Sequence, residues 1–147
     1  MEYFFQIISA AIGVAAFSVI FNSKRKNLGV LALGGGLGWA AYLLTFHLFK
    51  SEPLGYFSAS CVICIYSEVF ARILKTPSTA VLIPVIVPLV PGGMLYYTMR
   101  FAFQSNWREF FPSGIHTLNV VLSIALGIIL VSTVIKVSAR KGGGKND

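Results

Sequence analysis

Pro84-Val85-Ile86-Val87-Pro88-Leu89-Val90-Pro91-Gly92-Gly93 interrupts an apolar stretch, residues 78–101, that otherwise reads as one membrane-spanning helix. Each proline removes an N–H and disturbs the carbonyl four residues earlier. In hydrocarbon an unsatisfied backbone group costs several kcal/mol, so such a break persists only where protein buries it or a wet cavity runs past it. Helical geometry would leave the carbonyls of Ala80, Pro84 and Val87 without donors. Pro91 suits the first position of a new helix, where a missing N–H is harmless. The N–H groups of Gly92, Gly93 and Met94 are then expected to be free, at the positive end of a second half-helix. That is a ready anion site, and glycine lets a ligand approach the backbone closely. A kink relieved by neighbouring helices would account for one proline; three prolines followed by two glycines point to a substrate site. Pro84, Pro88, Pro91, Gly92 and Gly93 are therefore the candidate substrate-binding residues, near the middle of their span and so near the bilayer midplane.

Composition fits that reading. Of 147 residues, 56% are hydrophobic and 12% charged, and mean hydropathy is +0.77. Soluble domains carry about 25% charged residues, so the chain reads as an all-α integral membrane protein. A span takes roughly 20 residues, which leaves no room for a soluble catalytic domain. Five spans are expected, at about 3–21, 28–49, 54–74, 78–101 and 115–137. No Lys or Arg precedes the first, which is long enough to cross, so it reads as a span and not as a cleaved leader. Residues 102–114, mixed aromatic and polar, read as a loop with a short interfacial helix. Residues 140–147, basic and glycine-rich, read as a disordered tail.

Charge orients the spans. Lys24, Arg25, Lys26, Arg72, Lys75, Lys136, Arg140, Lys141 and Lys145 fall on one side, and only Lys50, Arg100 and Arg108 on the other. The positive-inside rule then puts the N-terminus outside and the C-terminus in the cytoplasm. Basic residues at span ends also account for the net charge of +7 without nucleic acid.

Within the third span, Glu68 and Arg72 stand at i and i+4, the spacing of a helical ion pair. An ionisable residue inside a span is a functional candidate. Desolvation favours the neutral form of a carboxyl, so Glu68 is the candidate for proton coupling or gating. Arg72, near the cytoplasmic surface, fits orientation or headgroup contact as well. Cys61-x-x-Cys64 lies in an apolar helix, where thiols act as small hydrophobes. His47 and His116 fall at the expected external helix ends. No metal-ligand spacing, nucleophile elbow or phosphate loop occurs, so neither an enzyme nor a cofactor is indicated. Ala32-x-x-x-Gly36, Gly34-x-x-x-Gly38, Ser9-x-x-x-Gly13 and Ser123-x-x-x-Gly127 read as close helix-packing faces.

Thr76-Pro77, then Ile83-Pro84 through Pro88 to Pro91-Gly92-Gly93, followed by Tyr96 or Tyr97, resembles the hallmark of the threonine/serine exporter family. The chain resembles its C-terminal half, which in two-component members is a separate small membrane protein. Glu68 and Arg72 fall where that half carries an acidic and a basic residue before the Thr-Pro. The likeness covers essentially the whole length, and its specific part is the Thr-Pro to Pro-Gly-Gly stretch. It implies half a transporter, completed by a larger membrane subunit; the lack of an internal repeat in the sequence also allows a second copy, in a homo-oligomer, to supply the other half. It also implies proton-motive-force-driven export of threonine and serine, or of succinate-type dicarboxylates, across the inner membrane. The sequence departs at Pro84-Val85, where the family usually reads Pro-Gly. The alternative is a non-transporting accessory or scaffold subunit packed against a transporter partner.

Overall fold

In a computed structural model the chain is described over residues 2–143, with side-chain surroundings through Ser138. Six α-helices follow one another: α1 (Glu2–Ile20), α2 (Leu28–Phe49), α3 (Glu52–Leu74), α4 (Ser78–Ile86), α5 (Gly92–Phe103) and α6 (Trp107–Gly143). Short 3-10 turns occupy Arg25–Asn27 and Val87–Leu89, and no strand occurs among the described residues. Helices α1, α2, α3 and α6 are long and apolar enough to cross a membrane, and the bent pair α4–α5 makes a fifth candidate if counted as one span.

Tight reversals separate the long helices. Lys50, at φ 53°, ends α2 in the left-handed region with its N–H on the Phe46 carbonyl. Lys75, at φ 52°, ends α3 the same way. Such left-handed caps satisfy carbonyls that would otherwise be orphaned at a helix end.

Small residues set how closely the helices approach. A Cβ added at Gly34 would stand 2.6 Å from the Tyr66 ring, and one at Gly35 or Gly38 would strike Val14 or Ile63. At Gly127 it would meet Ser60 Oγ and the Phe57 carbonyl. The glycine faces of α2 and α6 therefore do pack closely. Gly13 does not, since a Cβ there meets nothing within 4 Å. Val14, Leu31, Ile63, Val85, Leu89 and Val120 fill the core. Large apolar side chains such as Ile20, Leu33, Leu48 and Leu130 cover the outside too, which suits lipid and not water.

Helix α3 is central, packing against α2, α4 and α6. It runs parallel to α6: Glu52 stands beside His116, Cys61 beside Gly127, and Arg72 shares a cleft with Ser138. Helix α5 packs chiefly on α6 and buries none of its residues.

Two sequence expectations change. The loop expected at 102–114 is only Gln104–Asn106, because α6 starts at Trp107 and runs 37 residues through Pro112. Asn106 begins it, its carbonyl accepting from Phe110 N–H at 3.0 Å. Pro112 interrupts the ladder only at the Arg108 carbonyl, one turn from the start. At the other end α6 continues through Gly143, past the expected start of a tail, because each added turn of an established helix gains bonds at low entropic cost. Residues 144–147 of that tail lie outside the described residues.

Candidate functional site

The proline–glycine stretch sits where α4 turns into α5, with the two helices bent 57° apart. The prolines disturb less than ideal helix geometry implies. Val87 N–H donates to the Pro84 carbonyl, and Val90 N–H to the Val87 carbonyl at 3.1 Å. Tightening into i→i+3 bonds thus recovers two of the three carbonyls expected to be free. Ala80 remains the carbonyl whose i+4 donor Pro84 has removed.

At the start of α5 the expectation is likewise corrected. Pro91 is the residue before the helix, at φ −77° and ψ 58°, the geometry of an inverse γ-turn. Its own carbonyl accepts from Leu95 N–H at 3.0 Å, while Gly92 N–H donates to the Val90 carbonyl at 2.7 Å. Gly92 therefore has no free N–H, leaving those of Gly93 and Met94 at the helix start. Both glycines are exposed, and a Cβ on either would meet nothing within 4 Å. Pro84 and Leu89 are buried in the bundle, and Pro88 faces a shallow cleft with Gln6 and Trp39.

Glu68 and Arg72 lie elsewhere. They line a cleft of about 590 Å³ between α3 and α6, walled by aliphatic residues such as Ile65, Leu130 and Val134. The two charges do not come within 4.0 Å of each other, so the expected i, i+4 ion pair is not formed. Sharing a helix face brought them to one cleft without bringing their charges together. The break and this pair stand on different sides of α3 and share no cavity.

Among the described residues an ion-pair distance occurs from His116 Nε2 to Glu52 Oε2, 3.3 Å, both side chains part exposed at the shared end of α3 and α6. Cys61 and Cys64 are free, with sulfurs 3.8 Å and 3.9 Å from the carbonyls of Gly127 and Ile128. Among the described residues no three His, Cys, Asp or Glu gather as a metal site would need.

Two polar groupings escaped sequence reading. Thr98 on α5 bonds Ser113 at 2.8 Å and Thr117 at 3.2 Å on α6, which holds the second half-helix in place. At the basic end of the bundle, Lys24, Asn27, Thr76 and Thr79 line a cavity of about 320 Å³ whose inner wall is Ala80 to Pro84. The available signal was the polar run Asn22-Ser23-Lys24 through Asn27 facing Thr76 and Thr79 across the helix ends.

A Haemophilus influenzae protein, described only as uncharacterized, is 24% identical over 138 residues. The match takes in 88% of this chain and 46% of that relative, so the chain spans about half the length of the curated relative it matches. No solved structure matches it. Residues 6–134, from α1 into α6, match the family described as Threonine/Serine exporter, ThrE, and the chain belongs to that family.

Proposed function

We propose that this chain is one subunit of an inner-membrane exporter for small polar carboxylates, driven by the proton-motive force. Threonine and serine come from the family's description, and succinate-type dicarboxylates from the two-component relatives it resembles. The carrying observation is the interruption between α4 and α5, which leaves Gly93 and Met94 N–H groups at the start of α5 beside two glycines in open space. A substrate carboxylate would accept from those N–H groups, at the positive end of a helix. Crossing helices broken in this way line substrate paths in transporters.

Glu68 carries or gates the coupled proton in this reading. Because it faces α6 and not the break, coupling would run through α3, which packs against both α4 and α6. A larger membrane subunit would supply the other wall. That is supported by the share of the relative that lies beyond the match and by the exposed α5. Its N-terminus would be outside and its C-terminus cytoplasmic, as the charge bias indicates.

Gly93→Leu should abolish threonine efflux from loaded cells while membrane levels stay at wild type. Undiminished efflux would end the backbone-site reading. Glu68→Gln should flatten the dependence of efflux on external pH, and an unaltered profile would remove Glu68 as the proton carrier. The exposed α5 also suits a second reading, a scaffold subunit packed against a transporter; efflux by the partner expressed alone would favour it.

A further inference from the structure

The cavity at the basic end of the bundle has the size and chemistry of a small-ligand site that the transport reading has not yet used. Its volume is about 320 Å³, at the lower end of the range for small-molecule pockets. Its walls come from the α1–α2 connection, the α3–α4 connection and the first turns of α4. Asn27 is 8% exposed and stands at the start of α2, yet its side chain makes no capping hydrogen bond to that helix. Thr76 Oγ1 is shielded from solvent and unpartnered. Ala80, an exposed residue on the cavity's wall, adds the carbonyl that Pro84 cannot serve. Buried polar groups are nearly always hydrogen-bonded, so the shielded, unpartnered Thr76 hydroxyl, with Asn27 and Lys24 beside it on one cavity, points to a ligand that completes it.

Charge says which ligand. Lys24 lines the cavity, and no Asp or Glu does. One cation balances one carboxylate. The Asn27 amide can donate to that carboxylate, while the Ala80 carbonyl and the Thr76 and Thr79 hydroxyl oxygens can accept from an ammonium or hydroxyl group. A second carboxylate would be pushed against those acceptor oxygens without a cation of its own. We propose that this cavity is a loading site for a small hydroxylated amino acid, selecting against dicarboxylates before the ligand reaches the break. The inference rests on the export reading for its purpose, though not for its geometry. Since Ala80 and Pro84 form its inner wall, a ligand there already touches the first half of the interrupted helix pair.

Calorimetric titration of the full chain in phospholipid nanodiscs tests this, with L-threonine, L-serine and succinate as ligands. Threonine and serine should bind, and succinate at least about tenfold more weakly, the scale of one charge-assisted contact. Asn27→Asp keeps the side chain's shape but sets a carboxylate against the ligand's. Lys24→Gln changes an exposed residue that the fold does not need. Each should weaken threonine binding by about tenfold or more. No threonine binding to the wild-type chain, equal affinity for succinate, or unchanged affinity in both Asn27→Asp and Lys24→Gln would each overturn the proposal. Efflux measured alongside separates the two readings. Binding that the variants abolish, with no wild-type efflux, sinks export and leaves the site; wild-type efflux with unperturbed variants sinks the site and leaves export.

Discussion

An added methyl at Gly127 would run into Ser60 Oγ and stand 2.9 Å from the Phe57 carbonyl. Ser60 cannot swing aside cheaply, because its hydroxyl already donates to that same carbonyl at 2.8 Å. The carbonyl belongs to the α3 backbone, so relief requires the two helices to part. Overpacking of this kind costs about 1–3 kcal/mol, and Gly127→Ala should lower the thermal midpoint of the detergent-solubilised protein accordingly. Gly13→Ala is the control: its methyl would enter open space, and alanine is favoured over glycine inside a helix by about 1 kcal/mol. Its midpoint should hold or rise. Equal midpoints for the wild type and both variants would refute the close approach of α3 and α6. The Ser/Gly spacing on α1 and α6 looks identical in sequence, and only the neighbour's position separates them.

Helix α5 depends on its hydroxyls because it has little else. It buries no residue, and its packing is chiefly with α6. Thr98 donates to the Met94 carbonyl at 2.9 Å and meets Ser113 and Thr117 on α6, while Thr117 donates to the Ser113 carbonyl at 2.8 Å. Thr98→Val keeps the side chain's outline and removes the shared oxygen, a loss of about 1 kcal/mol per neutral bond. Amide exchange across α5 should quicken in this variant, while the core of α3 keeps wild-type protection; uniform protection would mean that apolar contact alone holds the half-helix. The break between α4 and α5 was legible in Pro84, Pro88 and Pro91 because a missing N–H acts locally. Which N–H groups it frees was not, since the γ-turn that occupies Gly92 depends on the torsion at Pro91. The start of α6 was missed behind Trp107 and Phe110-Phe111. Asn106-x-x-Glu109, with the spacing of a capping box, was the overlooked signal. Glu68 and Arg72 were found as residues, but the cleft they line is completed only by α6, far along the chain. For the cavity at Asn27 and Thr76 the polar runs at the helix ends were in the sequence, but that they face each other is set only in the folded bundle.

At the scale of the molecule, the direction of α6 decides what residues 78–103 must do. Glu52 and His116 mark one end of the α3–α6 seam, and Arg72 and Ser138 the other. The chain leaves α3 beside Arg72 and enters α6 above His116, so α4 and α5 together return it from one end of the bundle to the other. A re-entrant loop, which would turn back at the 57° bend, would instead leave Gln104–Asn106 on the same side as Lys75–Pro77. Single cysteines at Ser51, Thr76 and Ser105, in a chain with Cys61 and Cys64 replaced by alanine, distinguish these cases in intact cells. A membrane-impermeant thiol reagent should label Ser51→Cys and Ser105→Cys alike and spare Thr76→Cys until the membrane is opened. Labelling of Ser51→Cys without Ser105→Cys would make the bend re-entrant and take the break off a crossing path. Labelling of Thr76→Cys alone would invert the molecule, against the nine basic residues that weight that side.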